Sequence, residues 1–466
     1  MSYIGSTPTS QNFIAGTDYF NGTGSQTAFT LSRTVSSVND IQATVNNVVQ
    51  VPNDAYTISG TTITFTSAPS AGTGNIYVRY LSTTTQSITP SQNTVSYSTL
   101  NSDNQSKLGI SFKNRIINGA MVIDQRNAGA AVTPSTDSYS LDRWYYEASN
   151  ASKFTFQQNA GSVTPPVGFT KYLGATVAST QSIAAGSYFM LEQRIEGNNI
   201  ADLGWGTANA KTITLSFWVY SSLTGTFGGA IQNSSFNRSY PYTYTINAAN
   251  TWEYKSVTIV GDTSGTWVTT NALGMVIEFG LGVGSTYSTT AGAWAAGNYN
   301  SATGATSVVS TSGATFYITG VQFEVGTQAT TFDYRSIGTE LALCQRYYET
   351  SYEGVKVPTN NASSQVFSGI GTSSYVGGGG GSTSQSLGST FFKVTKRATP
   401  TMVIYSYTSS TTGAVSNGWS GADLAAGSGA VGAVNINSFN IYNASGSSIT
   451  VASYAVMFNY SASAEL

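Results

Sequence analysis

The sequence predicts an all-β protein: a small N-terminal β-sandwich, a central jelly-roll β-sandwich with one short helix at its end, and a C-terminal β domain. Three observations predict it. Charged residues make up only 9% of the 466 while aromatics reach 12%, so the surface must be hydroxyl and amide, and the abundant Thr, Tyr and Val favour strands. Short apolar runs recur between Asn, Gly and Pro turn signals along most of the chain. Residues 211–220 alternate strictly, with Ile213, Leu215, Phe217 and Val219 on one face.

The same composition excludes several kinds of chemistry. A net charge of -2 supplies no basic field for nucleic acid or an acidic membrane. With no His and one Cys, the chain can form no internal disulfide, no usual nitrogen- or sulfur-ligated metal site and no His-dependent triad. No cofactor is expected. The start, MSYIGSTPTSQNF, lacks the basic and apolar regions of a signal peptide, and no run approaches the ~20 apolar residues of a membrane span, so synthesis in a cytoplasm without export by that route is expected.

Taken in order, residues 1–80 hold closely spaced strand-like runs, among them AFTLS, IQATV, VVQV, TITF and IYVRY, which imply a small sandwich. Asn46-Asn47 is a hairpin candidate, because Asn tolerates positive φ. Residues 81–111 are Ser, Thr, Gln and Asn with few apolar positions and read as a linker or narrow neck. Eight or so strands across 112–350, from KFTFQQ to FYITGVQFEVG, indicate a double-sheet jelly roll. In its last strand Phe316, Ile318, Val321, Phe323 and Val325 are apolar, with Gly320 and Gly326 as punctuation. The period then becomes helical at Leu341, Cys344, Tyr347 and Tyr348, with Thr339 as the N-cap and Glu340 suited to the helix start. Residues 351–466 resume strand-like runs after Pro358 and a glycine run at 377–381, and Lys393, Lys396 and Arg397 form their only basic cluster.

Two stretches carry a family resemblance. YFNG at 19–22, IQATVNNVVQVP at 41–52 and the run from 56 to 72 resemble the N-terminal module of bacteriophage tail fibre and tail appendage proteins. RIINGAMVIDQRNAG, SLDRW, LEQRIEG, WEYKSVTIVGDTSGTW, ITGVQFEVG and ELALCQRYYE, between 112 and 350, resemble a domain recurrent in phage tail fibres, whose sheets are similar to those of carbohydrate-binding modules. The resemblance implies a homotrimeric virion component of the tail, attached to other tail proteins through residues 1–80, that recognises a host-surface glycan. The absence of a leader suits a particle released by lysis. A purely structural appendage and a polysaccharide depolymerase are the competing readings.

Candidate chemistry is sparse. The close carboxylate pairs are Glu192/Glu196, Asp137/Asp142 and Glu349/Glu353, and paired carboxylates are the minimum for glycoside hydrolysis. Arg194 shares a strand face with Glu192 and Glu196, Asp142-Arg143 precedes Trp144, and Asp124 stands near Arg126, so these acids read as structural and no catalytic residue is expected. The glycine run lacks the Lys of a phosphate cradle. Aromatics are the better lead, since a Trp or Tyr face can take the C–H face of a sugar. Trp218 and Trp144 read as core. Tyr287, Trp294 and Tyr299 in a long small-residue loop, and Trp419 in SNGWSGAD, are the expected ligand contacts.

Overall fold

The computed structural model describes residues 16–81, 112–352, 371–372, 386–407, 412–417, 429–443 and 455–466. Most of the expected linker, the glycine run, Glu353, Pro358 and Trp419 lie outside them. Two compact units are present, residues 1–99 and 100–466.

In the first unit, a four-stranded antiparallel sheet (Thr17–Gly22, Gly72–Tyr80, Ile41–Val45, Val48–Val49) and a three-stranded one (Ala28–Thr30, Thr62–Phe65, Tyr56–Ser59) enclose Phe29, Ile41, Tyr56, Ile63, Phe65, Ile76 and Val78. The sandwich is as the alternating runs imply. Asn46 and Asn47 both adopt positive φ, 48° and 65°, in the hairpin between Ile41–Val45 and Val48–Val49.

The second unit is built on two facing antiparallel sheets. One runs in the order Phe154–Gln158, Leu173–Val177, Thr315–Val325, Ile213–Ser221, Glu253–Ile259. The other runs Ala295–Ala296, Arg238–Ile246, Gly225–Asn233, Leu273–Val283, Tyr188–Glu196, Trp144–Ala148, Ser138–Leu141. From residue 173 to 325 the chain passes back and forth between the sheets, which is the jelly-roll arrangement. Ile213, Leu215, Phe217 and Val219 point inward with Phe316, Ile318, Val321 and Phe323, and meet Leu191, Ile231, Tyr242, Ile277 and Phe279 from the opposite sheet. Trp144 is fully buried there, as expected.

The chain's one α-helix among the described residues is Ile337–Gln345. Its N-cap is Ser336, whose hydroxyl accepts the Thr339 N–H, so Thr339 lies inside the helix rather than capping it. The helix also ends earlier than the periodicity suggests. Tyr348–Thr350 is a strand pairing with Asn459–Ser463, so Tyr348 is drawn into a sheet rather than a further turn. Cys344 and Tyr347 are buried against Ile117 and Ile123 of the same chain, with Leu341 beside them. The stripe is thus consumed within the chain.

The described residues of the C-terminal segment are also β, and among them three three-stranded sheets accompany a core of Phe392, Ile404, Phe439, Ile441 and Tyr460. Its basic cluster is structural. Lys396 is buried in an ion pair with Glu349 at 2.5 Å, and Tyr460 donates to the same carboxylate at 2.6 Å. Burial holds the Lys396 ammonium below its ordinary pKa although Glu349 opposes that shift. Arg397 donates to the carbonyls of Asn271, Ala464 and Glu465, and Lys393 Nζ to that of Thr350.

Candidate functional site

The inward set at 213, 215, 217 and 219 forces Thr214, Ser216, Trp218 and Tyr220 onto the outer face of the five-stranded sheet. Pairing places Tyr254 opposite Trp218 and Tyr317 opposite Tyr220 on that face. At one end the face is covered. Tyr220 and Tyr317 stack at 5.3 Å, Tyr172 stacks on Tyr317 at 5.2 Å, and Trp252 packs on Tyr172 and Tyr220 while its indole N–H donates to Thr164 O at 2.9 Å. The other end is open. There Ser216, Trp218, Tyr254 and Gly320 form the floor of a groove of about 610 Å³.

Its walls are two loops. Val167 and Phe169 supply one side, and residues 329–332 with Tyr334 supply the other. The second loop is fastened from below by polar residues of the sheet itself. Glu324 accepts from Thr330 N at 2.8 Å, Thr330 Oγ1 at 2.6 Å and Gln322 Nε2 at 2.8 Å, while Gln322 Oε1 accepts the Asp333 N–H at 2.7 Å. Both side chains are buried, so the wall is set by satisfied hydrogen bonds. Gly320 breaks the strand register at a φ of 61°, and a Cβ there would stand 2.6 Å from the Phe169 ring and 3.1 Å from the Trp218 ring. Only glycine lets the two loops and Trp218 close around this point.

The groove offers ring faces and hydroxyls and no charge. Trp218 is half-buried, 5.4 Å from the Tyr254 ring, and Tyr254 and Tyr334 are 44% and 60% exposed. Thr331 and the two tyrosines present hydroxyls, with Ser216 buried in the floor and the Thr330 hydroxyl committed to Glu324, and none of the described residues lining it is ionisable as an acid or base near neutral pH. Trp218 is therefore not the core residue that its apolar surroundings suggest, because the alternation that buries Phe217 turns it outward.

The loop aromatics lie elsewhere. Within residues 284–303, Ala295–Ala296 forms the edge strand of the seven-stranded sheet, and Ser301 is buried on its outer face against Gly228 and Gly280. Tyr287 packs edge-on to Tyr188 at 5.2 Å, and the Asn300 N–H donates to its carbonyl at 2.8 Å, which brings Tyr287 near the Tyr299 segment. Tyr299 N donates to Ser239 Oγ at 3.0 Å. Trp294 is separate from both. It is half-buried among Trp205, Trp267 and Tyr240, at 5.3, 5.6 and 5.3 Å, and its indole N–H donates to Val260 O at 2.7 Å. Trp294 is thus packed against the core of the second unit.

The acidic pairs have structural partners. Arg194 bonds Glu192 at 3.2 Å and Glu147 at 2.9 Å, whereas Glu196 takes both Arg346 nitrogens, at 2.9 and 2.7 Å, and the Tyr347 hydroxyl. Burial would raise the Glu196 pKa, but the bonds from Arg346 and Tyr347 outweigh it and hold the carboxyl low. Burial, aided by the Glu147 carboxylate, pushes Glu192 up to about 8, and its cross-strand neighbour Glu278 is raised by burial and by Glu192. Asp142 is pushed up to about 7 by burial and accepts from Gln125 N and Nε2, Asp137 accepts the Ala148 N–H, and Asp124 accepts from Arg126, Asn127 and Gly129. Among the described residues no cluster of His, Cys, Asp and Glu is placed to hold a metal ion.

No protein-family model matches the chain, and no curated protein matches it. Solved structures that it resembles include the enzymatically active domain of tailspike protein 4 of bacteriophage CBA120, at 14% identity and a TM-score of 0.26, covering 47% of this chain and 22% of that one. TmCBM61 in complex with β-1,4-galactotriose is similar at 9% identity and TM-score 0.24, covering 46% and 99%. The family 11 carbohydrate-binding module from Clostridium thermocellum in complex with a β-1,3-1,4-mixed-linked tetrasaccharide is similar at 10% and 0.22, covering 43% and 99%. The chain spans about a fifth of the tailspike domain's length.

Proposed function

We propose that this chain is a non-enzymatic glycan-binding component of a bacteriophage tail, and that the groove on the outer face of the five-stranded sheet receives a neutral sugar chain. The observation that carries the binding reading is the floor of Trp218 and Tyr254, two part-exposed rings side by side on a rigid sheet between fixed walls. Ring faces take the apolar face of a pyranose, and the Thr331 and Tyr hydroxyls take its polar edge. With no charged lining residue, attraction does not depend on ionic contact, so affinity should change little with salt. None of the described residues lining the groove itself is a carboxylate, so its floor and walls supply no acid-base pair.

The phage setting rests on the resemblance: a virion tail protein synthesised in the host cytoplasm, a homotrimer joined to other tail proteins through residues 1–80, with adsorption strengthened by several copies. The test is a neutral-glycan array probed with the full chain at low and high salt. Binding that survives salt supports the reading. No binding to any neutral glycan leaves the purely structural appendage, and release of reducing sugar from a bound polymer would favour a depolymerase.

A further inference from the structure

A second cavity, of about 210 Å³, opens beside the groove and shares Phe169, Phe332 and Tyr334 with it as a common partition. The three rings pack on one another at 4.9 to 5.6 Å, so the partition is a built wall. Behind it the lining is Ile116, Ala120, Val122 and Ile337, with the exposed Thr170 and the side chains of Asn114, Arg335 and Glu340, which are engaged. Arg335 donates to the carbonyls of Ile116, at 3.0 Å, and Asn114, and pairs with Glu340 at 3.4 Å. Glu340 also accepts the Asn118 N–H, and Asn114 Oδ1 accepts from Ile116 and Phe323 while its Nδ2 donates to Val321 O. Asp333, with 28% of its side chain exposed, takes a long bond from the Asn114 N–H at 3.4 Å and has Arg335 Nε 3.7 Å away, so its carboxylate keeps acceptor capacity for a ligand.

Such a cavity gains little from a sugar hydroxyl buried in its depth, since its inner donors and acceptors are spoken for, and gains from an apolar group. We propose, resting on the glycan reading above, that this cavity selects a methyl-bearing substituent, the acyl methyl of an O-acetyl group or the methyl of a 6-deoxyhexose, on the sugar chain lying in the groove. The substituent passes behind Phe332 and Tyr334 against Ile337 and Val122, and a neighbouring hydroxyl donates to Asp333.

The experiment uses the full chain and matched neutral polysaccharides: O-acetylated glucomannan before and after alkaline de-O-acetylation, and D-rhamnan against D-mannan of the same linkage, titrated calorimetrically. One substituted member should bind roughly tenfold or more tightly than its unsubstituted partner, the usual scale for one methyl in a fitted pocket. The acetyl pair and the deoxy pair tell the two sources apart. Ala120→Phe, which fills the cavity, should erase that preference while unsubstituted polymer still binds, and Ile337→Ser, at an exposed helix position that threatens no core, should weaken it. Trp218→Ala should weaken binding of both members. Equal binding within both pairs, with Trp218 still required, overturns the pocket and leaves the groove. Binding of no polymer, or binding indifferent to Trp218, overturns both.

Discussion

Neighbouring residues on one strand should fail in opposite ways when truncated. Phe217 is fully buried among Tyr244 and Phe279 at 4.9 and 5.0 Å, whereas Trp218 lies on the other face with Tyr254 as its ring contact at 5.4 Å. Phe217→Ala opens a cavity in the core and should cost about 3–5 kcal/mol. Trp218→Ala removes an aromatic pair worth about 0.5–1.5 kcal/mol and opens no internal cavity. Its effect on binding runs the other way. Loss of a central stacking ring costs about 2 kcal/mol or more, which is close to thirtyfold in affinity. The assay pairs denaturant unfolding of both variants with titration of the glycan that the array identifies. If Trp218→Ala unfolds as readily as Phe217→Ala, or binds like the parent, the placement of the site on this face is wrong.

Three further outcomes follow from the packing. Trp294→Ala should lower stability by about 2 kcal/mol in denaturant unfolding, because it removes three ring contacts and a hydrogen bond, while glycan affinity of the folded protein stays unchanged. Lys396→Ala should cost about 3–5 kcal/mol by leaving Glu349 buried and unpaired, and the double variant Lys396→Met with Glu349→Gln should recover much of that loss in the same measurement. Glu192 and Glu278 keep protons in the folded state that the unfolded chain releases, so stability should fall as pH rises from about 4.5 towards 8. Glu278→Gln, at a carboxyl whose Oε2 is buried without a partner, should flatten that slope in thermal melts taken across the range.

The sheets were legible because burial imposes a period. The strict alternation at 213–219 locates one inner face, and it also determines that Trp218 points outward, although an indole within an apolar run invites assignment to the core. Gly320 was legible as an interruption of a strand, and its use, a register break that lets Phe169 approach Trp218, needed the partner loop in view. The walls had no local signal. Phe169 lies on a loop before the second strand of its sheet and Phe332 and Tyr334 follow the last, and strand pairing alone brings them together.

The loop from Tyr287 to Tyr299 shows the opposite difficulty. Small residues around Trp294 suggest an exposed ring, yet small residues also let a loop lie close on a sheet, and Trp205, Trp267 and Tyr240 reach it from distant parts of the chain. The helix boundary moved for a similar reason. The stretch to Tyr348 keeps a helical spacing of apolar residues, and pairing with Asn459–Ser463, more than a hundred residues on, takes Tyr348 for a sheet.

The most direct measurement is a crystal structure of the full chain soaked with the neutral oligosaccharide of highest affinity on the array. A sugar ring lying within about 4.5 Å of the Trp218 indole and flanked by Tyr254 is the predicted result. Sugar density on the seven-stranded face near Tyr287 and Tyr299, or in the C-terminal segment around Trp419, with the Trp218 groove empty, would contradict it.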